Sequence, residues 1–506
     1  NNNEADLFHP RFILRQTAEK MIIRYFGCCI AFFFSIILSA KALMMRTGMM
    51  MKLATIDTLK IKVLESDAGA ALAAEDALRE RGGGTLNAKC KLRLFDTEKE
   101  PRLILYRDPS YWCPYCAKLS MQLEEKRIPY KIEMVPMRSY GIKSQDFLNK
   151  VPGGFLPAIE LDGNVYTESL DIMVMVDDTF NGPEHRRTLP PRGTPEFEEA
   201  RQLLGLERQL FRSWCDFVFR GSLGSKRAFE RDLHVVEKEL ERGGKDKPFF
   251  MGQSDPGIVD MQYFSHLERI FASVAYWKGE CIRGDYKKYP NINAFFDALE
   301  KRPSYALTRS DFYTTITDIP PQYGNGVFDR MAPKQHSYEK AISGAEWTLP
   351  MNPDALEVKL QPGWEEFEPN AHIEALFRLV NNFSAVAKFA SRPAGEGVGR
   401  WGTFRPDRSA LADPEAKPAK GQALSDVEAA LSIVAHILAD KLEIKAEHAV
   451  TLDEIISDAK RRATTASCLI YLRDRIGVPR DMSYPAARAL RCTLGWTVEH
   501  LQKKKI

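Results

Sequence analysis

Apolar and polar positions run along this chain in two rhythms. From Pro101 the rhythm is short. RLILYR is an apolar run of the kind that forms a strand, and YKIEMV is a second. Between them, Pro114 to Arg127 reads as a helix: Ala117, Leu119, Met121 and Leu123 are apolar, and Lys and Glu crowd its end. SQDFLNKV predicts a short helix. PAIEL and NVYTE are two further strands, joined through Asp162-Gly163, a hairpin turn signal. SLDIMVMVDDTF is a third helix. The order βαβαββα is satisfied by one mixed sheet with helices on both faces.

After a Pro/Arg-rich separator, GPEHRRTLPPRGTPE, the rhythm lengthens to helical spacing. EFEEARQLLGLERQLFRSWCDFVF, ERDLHVVEKELER, VDMQYFSHLERIFASVAYW and INAFFDALEKRP predict an all-helical unit over 195–325, the last helix stopped by Pro303. Residues 331–506 are again mainly helical, with AHIEALFRLVNNFSAVAKFA, SDVEAALSIVAHILADKL, SDAKRRATTASCLIYLRDRI and YPAARALRCTLGWTVEHLQ as the periodic runs. A Gly/Pro/Arg-rich loop interrupts them. Its GEGVGRWG does not follow a strand and reads as a flexible loop, not a dinucleotide site. Upstream, residues 66–99 are Ala/Gly-rich with one helix candidate, and 51–99 are read as a transit and linker region.

The start of the chain reads as an address. Residues 1–50 form a targeting leader, with a basic Arg24 before an apolar run and an Ala-Lys-Ala site inside the signal-like segment 22–42. That run is short for a membrane span, though a signal anchor is the alternative. The basic, hydroxyl-bearing stretch after it resembles a transit peptide, and Leu43 fits the residue that follows the cleavage site in the bipartite plastid address of algae with secondary plastids. A plastid is therefore the expected location, against a cytoplasmic or membrane-anchored alternative.

Composition adds exclusions. Length 506 suits about three domains. Lys+Arg 71 against Asp+Glu 68 leaves +3, which argues against a nucleic-acid partner. Nine Cys are too few for a disulfide scaffold. Outside the leader, only Cys113 and Cys116 sit close enough to act together.

Cys113-Pro-Tyr-Cys116 follows a strand and opens a helix. The free N–H groups and positive end of that helix favour an anionic sulfur, and Pro114 suits the first helical position. Cys113 is the nucleophile candidate. Cys116, one turn in, is the resolving or buried partner. A half zinc site lacks its other two ligands, since no second CxxC or His pair lies nearby, so no metal is expected. A chemically idle pair is the remaining alternative. Leu156-Pro157 stands at a strand entrance, where an X-Pro bond is compatible with cis. Glu168-Ser169 opens a helix, with Ser169 as an N-cap candidate whose helix end attracts a carboxylate. Lys143 precedes a short helix and can meet a second carboxylate; alone it reads as a surface lysine. Trp214, Phe217, Tyr276 and Trp277 line either a substrate pocket or, at helical spacing, a core.

Together these residues resemble the glutathione transferase family over about Pro101 to Tyr305. YWCPYCAKLSMQLEEKRIPY is similar to the first βα unit of its cysteine-type members, the omega class and dehydroascorbate reductases, and to glutaredoxin. VPGGFLPAIELDGNVYTESLDIM is similar to the family's glutathione site. The tail 331–506 resembles extensions of some plant and algal plastid members and carries no assigned chemistry. The resemblance implies a thioredoxin-like unit over 100–182 followed by the all-helical domain, with glutathione as co-substrate. In it, Cys113 forms the mixed disulfide, Lys143 holds the glycine carboxylate, and Leu156 meets the cysteinyl main chain beside Pro157. Glu168 and Ser169 take the γ-glutamyl end. FFMGQSDPGIVDMQYFSHLERI resembles the helix bearing the family's capping box, with Gly257 where Ser or Thr is usual, three residues before Asp260.

A cysteine in place of a hydroxyl favours thiol transfer, deglutathionylation or dehydroascorbate-type reduction over conjugation. The substrate is then a small-molecule or protein disulfide, and a homodimer is an expected assembly. The alternatives are conventional conjugation, a non-catalytic assembly module, and a dimer bridging an iron–sulfur cluster through Cys113 and glutathione.

Overall fold

The computed structural model describes residues 53–244, 246–396, 411 and 416–503. The leader and most of GEGVGRWG lie outside the described residues. Five strands form one sheet in the order β1-β3-β2-β4-β5. They are β1 (Leu92–Arg93), β2 (Leu103–Arg107), β3 (Tyr130–Met134), β4 (Ala158–Leu161) and β5 (Asn164–Tyr166). β2 and β3 run parallel, with Leu105 opposite Ile132, because the helix between them carries the chain back across the sheet. β2 pairs antiparallel with β4, placing Leu105 opposite Ile159. The β4–β5 hairpin turns at Asp162 (φ +52°) and Gly163 (φ +81°). Both turn residues at positive φ make the tight primed turn that an Asp-Gly pair favours.

Two helices precede the sheet, α1 (Ile56–Glu65) and α2 (Asp67–Glu80). The thioredoxin-like unit then supplies α3 (Pro114–Glu125), α4 (Gln145–Lys150) and α5 (Ser169–Thr179). The helical domain follows with α6 (Pro195–Cys215), α7 (Ser225–Glu241), α8 (Ile258–Ser273), α9 (Pro290–Leu299), α10 (Phe312–Asp318) and α11 (Pro320–Tyr323). α8 is its axis: almost every side chain on it is buried. Asp260 in its first turn accepts from Gly257 N–H at 2.8 Å and Phe250 N–H at 2.9 Å. Gly257 has no side chain to return the bond, so one half of the usual reciprocal cap is made. Burial pushes Asp260 up to about 7. Trp214, Phe217 and Trp277 are buried in the main core, with Tyr276 packed against it, and Trp214 Nε1 donates to Ser273 Oγ at 2.9 Å. They build the core and not a pocket.

The extension contains α12 (Gln335–Ile342), α13 (Leu356–Lys359), α14 (Ala371–Asn381), α15 (Phe383–Ala390), α16 (Gln422–Ala439), α17 (Ala446–Ile455), α18 (Ala459–Arg473) and α19 (Tyr484–Gln502). α16 is long and apolar enough to cross a membrane, but it is the buried centre of this bundle, packed by α14, α18 and α19.

One expectation is corrected. Within the region 51–99, the described residues 53–99 are not a linker. Thr55 and Ser66 cap α1 and α2 with their hydroxyls. Leu59 and Val63, one turn apart, are buried, and both helices pack on α14 of the distant extension. Leu86, Ala88 and Cys90 enter the main core, and β1 adds an edge strand beside β3. Alanine-rich composition is as good for a closely packed helix as for a linker. From Thr55 to Ile506 the chain forms a single contact unit.

Candidate functional site

β2 ends at Arg107, and the chain turns through Asp108 to Trp112 before α3 begins. Asp108 is buried and clasps that turn. Its carboxylate accepts from Ser110 N–H at 3.2 Å, Trp112 N–H at 2.8 Å and Cys113 N–H at 3.3 Å. Arg107 donates to Asp108 O at 2.6 Å and to Ala88 O at 2.9 Å, so the N-terminal segment braces the same turn. Cys113 occupies the N-cap of α3 in extended conformation, with Pro114 at the first helical position. The open N–H groups of the first turn are the local source of positive field there.

Cys116 lies one turn further in and is buried, and burial, reinforced by Cys113 and Asp108, pushes its thiol well above the ordinary range. The two sulfurs and an Asp108 oxygen lie within 4.8 Å of one another. Asp108 is committed to three amides, so the trio reads as a braced thiol pair and not as an open metal cradle.

The structure brings Leu156 to Cys113: the sulfur lies 3.9 Å from Leu156 O. The Leu156–Pro157 peptide bond is cis, and Pro157 is buried while Leu156 is half-buried. Lys143 reaches the same region. Its ammonium donates to Pro136 O. Burial lowers its pKa, while Cys113, Cys116 and Asp108 pull it back up, which places it in the electrostatic reach of the thiols. Glu168 is exposed, at φ +65°, a left-handed conformation uncommon for a residue with a side chain. It is the N-cap of α5, and Ser169 is the first helical residue. This shifts the expected cap by one position. Ser169 already has helical geometry, so its hydroxyl cannot fold back onto the following amides as a cap does.

Other site residues carried no sequence signal. Trp112, next to Cys113, is buried. Its Nε1 donates to Val478 O at 2.9 Å, its ring lies 5.2 Å from that of Tyr140, and the Arg480 guanidinium sits 5.1 Å above it. Arg269 of α8 donates to Trp112 O. Tyr140 donates to Asp318, the last residue of α10. Burial first, then Asp108 and Cys113, push the Asp318 carboxyl well above its ordinary range, while the Gln322 amide that donates to it pulls it back. Only about 10 Å³ of space remains between Trp112, Arg269 and Asp318. On the inner face of α3, Lys118 donates to Gln262 Oε1 at 2.7 Å and is pushed down to about 8 by burial. Tyr115 packs edge-on to His266 at 5.6 Å, and His266 Nδ1 is 2.7 Å from Glu207. Asp108 was the one discoverable residue: an Asp-Pro turn just ahead of a helix start is a local signal.

A thioredoxin-like sheet with a cysteine at a helix N-cap, a cis proline beside it and a helical domain behind it defines a thiol-site class of protein. The comparisons with known proteins narrow it. Residues 112–179 match the family model described as glutathione S-transferase, N-terminal domain. Glutathione S-transferase L1 of Arabidopsis thaliana is 29% identical over 208 residues, 40% of this chain and 80% of that protein. Glutathione S-transferase DHAR2 of the same plant is 22% identical over 200 residues, 39% of this chain and 84% of its own length. Among solved structures, glutathione transferase Omega 3C from Trametes versicolor aligns with 25% identity and a TM-score of 0.35, covering 42% of this chain and 91% of that one. Over this region the chain is similar to glutathione S-transferases, and it spans about four fifths of the length of these two plant relatives.

Proposed function

We propose that this protein is a glutathione-dependent thiol transferase that works through Cys113. The observation that carries the reading is the placement of Cys113 at the α3 N-cap, facing the Leu156 carbonyl; both thiols are buried, Cys116 (1% exposed) more deeply than Cys113 (5%). Relatives that are named glutathione S-transferases support a transferase-like enzyme with glutathione as co-substrate.

The Cys113 thiolate attacks the glutathione sulfur of a glutathionylated disulfide. The S–S bond breaks, the substrate leaves as its thiolate, and Cys113 holds a mixed disulfide with glutathione. A second glutathione thiolate attacks that sulfur, releasing oxidised glutathione and the Cys113 thiolate. Leu156 main chain, Lys143 and the Glu168-Ser169 corner would orient the tripeptide: main-chain pairing for its cysteinyl part, a cation for its glycine carboxylate, and a helix start for its γ-glutamyl carboxylate. Cys116, held protonated by burial, is a poor second nucleophile, which supports the monothiol route. A plastid location is part of the same reading; one relative is named glutathione S-transferase L2, chloroplastic.

The test is turnover of a glutathionylated peptide with glutathione as reductant. Cys113→Ser is expected to lose at least about 1,000-fold in kcat/KM, about 4 kcal/mol of transition-state stabilisation. Equal rates would sink the proposal.

A further inference from the structure

Away from the thiol site, the extension and Lys89 line a half-open cavity of about 430 Å³. That is the size of a small-molecule site. Much of its wall is apolar, with Val386, Phe389 and Leu490 on it, but it also carries Lys89, Arg378, Arg475 and Arg480 against one carboxylate, Asp481.

That carboxylate is already used. Asp481 accepts from Arg480 Nε at 3.0 Å and Nη2 at 2.7 Å, and from Gly477 N–H at 2.8 Å. Arg475 lies flat on Tyr471, 3.7 Å from its ring centre. The buried Nε groups of Arg378 and Arg475 have no hydrogen-bond partner among the described residues. Such orphaned donors are costly where water is excluded. Lys89 is exposed and lines the cavity; burial and the Arg378 charge lower its pKa, while Asp76, Asp481 and Glu374 pull it back up. No described residue pairs an acid with it. An adjoining cavity of about 410 Å³ shares Lys89 and Arg378, but there Glu75, Glu366 and Glu374 offset the cations. Arg378 is itself ion-paired with Asp76, and Arg480 with Asp481, so Lys89 and Arg475 are the cations at the apolar cavity without an ion pair among the described residues, and the Arg378 Nε is left open.

We propose that this cavity binds an amphipathic organic acid, its carboxylate paired with Lys89 and Arg378 and its hydrocarbon chain against Val386, Phe389 and Leu490. The occupant is felt at the thiol site. Ile476, Arg480 and Asp481 line the cavity and belong to the strap whose Val478 and Arg480 hold Trp112, the neighbour of Cys113. This inference does not depend on the reaction proposed for Cys113.

Titration calorimetry of the full chain with sodium decanoate tests the site, with decanol as the neutral control. Saturable one-site binding is expected, with decanol weaker by about tenfold or more, the worth of a charge-assisted contact. Lys89→Gln should weaken decanoate by a similar factor, and Ala385→Trp, placing a large ring at an exposed position of the cavity wall, should abolish it. Unchanged circular dichroism and iodoacetamide alkylation of Cys113 in ligand-free variants show that they are folded. Absence of saturable binding to the wild type, or equal binding by both variants, overturns the site. Saturating decanoate should also change the alkylation rate of Cys113 in the wild type; an unchanged rate with binding intact overturns the link to Trp112.

Discussion

Cys113 stands between two walls of different origin. One is built by the thioredoxin-like unit within about forty residues of the thiol: Lys143 and Leu156, both half-buried, offering a cation and a main-chain carbonyl. The other is built by residues far along the chain. Asp318 closes it from the helical domain, and the strap 476–481 between α18 and α19 locks Trp112 in place. The first wall is the more open and polar of the two. The second is packed. Chemistry is thus supplied locally, while access on one flank is set by a segment that the chain delivers from more than three hundred residues away.

The sharpest way to break the distant wall is through its anchor. Arg491 of α19 and Asp311 form a fully buried ion pair, and Arg491 also donates to Ile476 O at 2.7 Å, pinning the strap to the helical domain. Arg491→Met leaves Asp311 buried and uncompensated. A loss of about 3–5 kcal/mol is expected in urea unfolding, with Cys113 alkylated faster. A loss under about 1 kcal/mol would show that the strap is held by other means.

The near side is read by pH. Lys118 is held at about 8 against an ordinary 10.5. Between those values the unfolded chain binds a proton that the folded chain has released. Wild type should therefore gain stability relative to Lys118→Met as pH rises from about 8 to about 10.5, by roughly 3 kcal/mol in all. A flat difference across that window would mean that Lys118 is not desolvated.

Gly477→Ala tests strap contact with Trp112 directly. A Cβ there would lie 2.5 Å from Cζ2 of the Trp112 ring, which is tethered by its bond to Val478. Overpacking of this kind costs about 1–3 kcal/mol. Thermal unfolding should register it, along with a changed alkylation rate at Cys113. The smallest effect belongs to Cys116→Ser. Because burial keeps the Cys116 thiol protonated, its loss should alter turnover of a glutathionylated peptide by less than about threefold. A larger drop would mean that Cys116 takes part in turnover.

The near wall was legible because each of its parts is a local signal. Strand alternation, the Asp162-Gly163 turn and Cys113-Pro114 at a helix start each depend on residues a few positions apart, and all are found in the sheet, the hairpin and α3. The errors were also local in kind. Ser169 was read as a cap and is the first helical residue, since the positive φ of Glu168 is not written in side-chain polarity. Residues 66–99 read as a linker by sequence because alanine and glycine mark both linkers and close-packed helices, and only α14, some three hundred residues on, decides between them.

The sequence by itself determined the βαβαββα unit, the helical domain after it, and a cysteine at a helix start, because these follow from periodicity, turn chemistry and the proline at the first helical position. Tertiary structure alone decided three other things. It buried Cys116 and so raised its thiol. It buried Asp318 and so raised its carboxyl. It laid the strap of the extension on Trp112. Burial and contact between segments hundreds of residues apart depend on how helices pack, and many sequences that differ in that packing share the same local pattern.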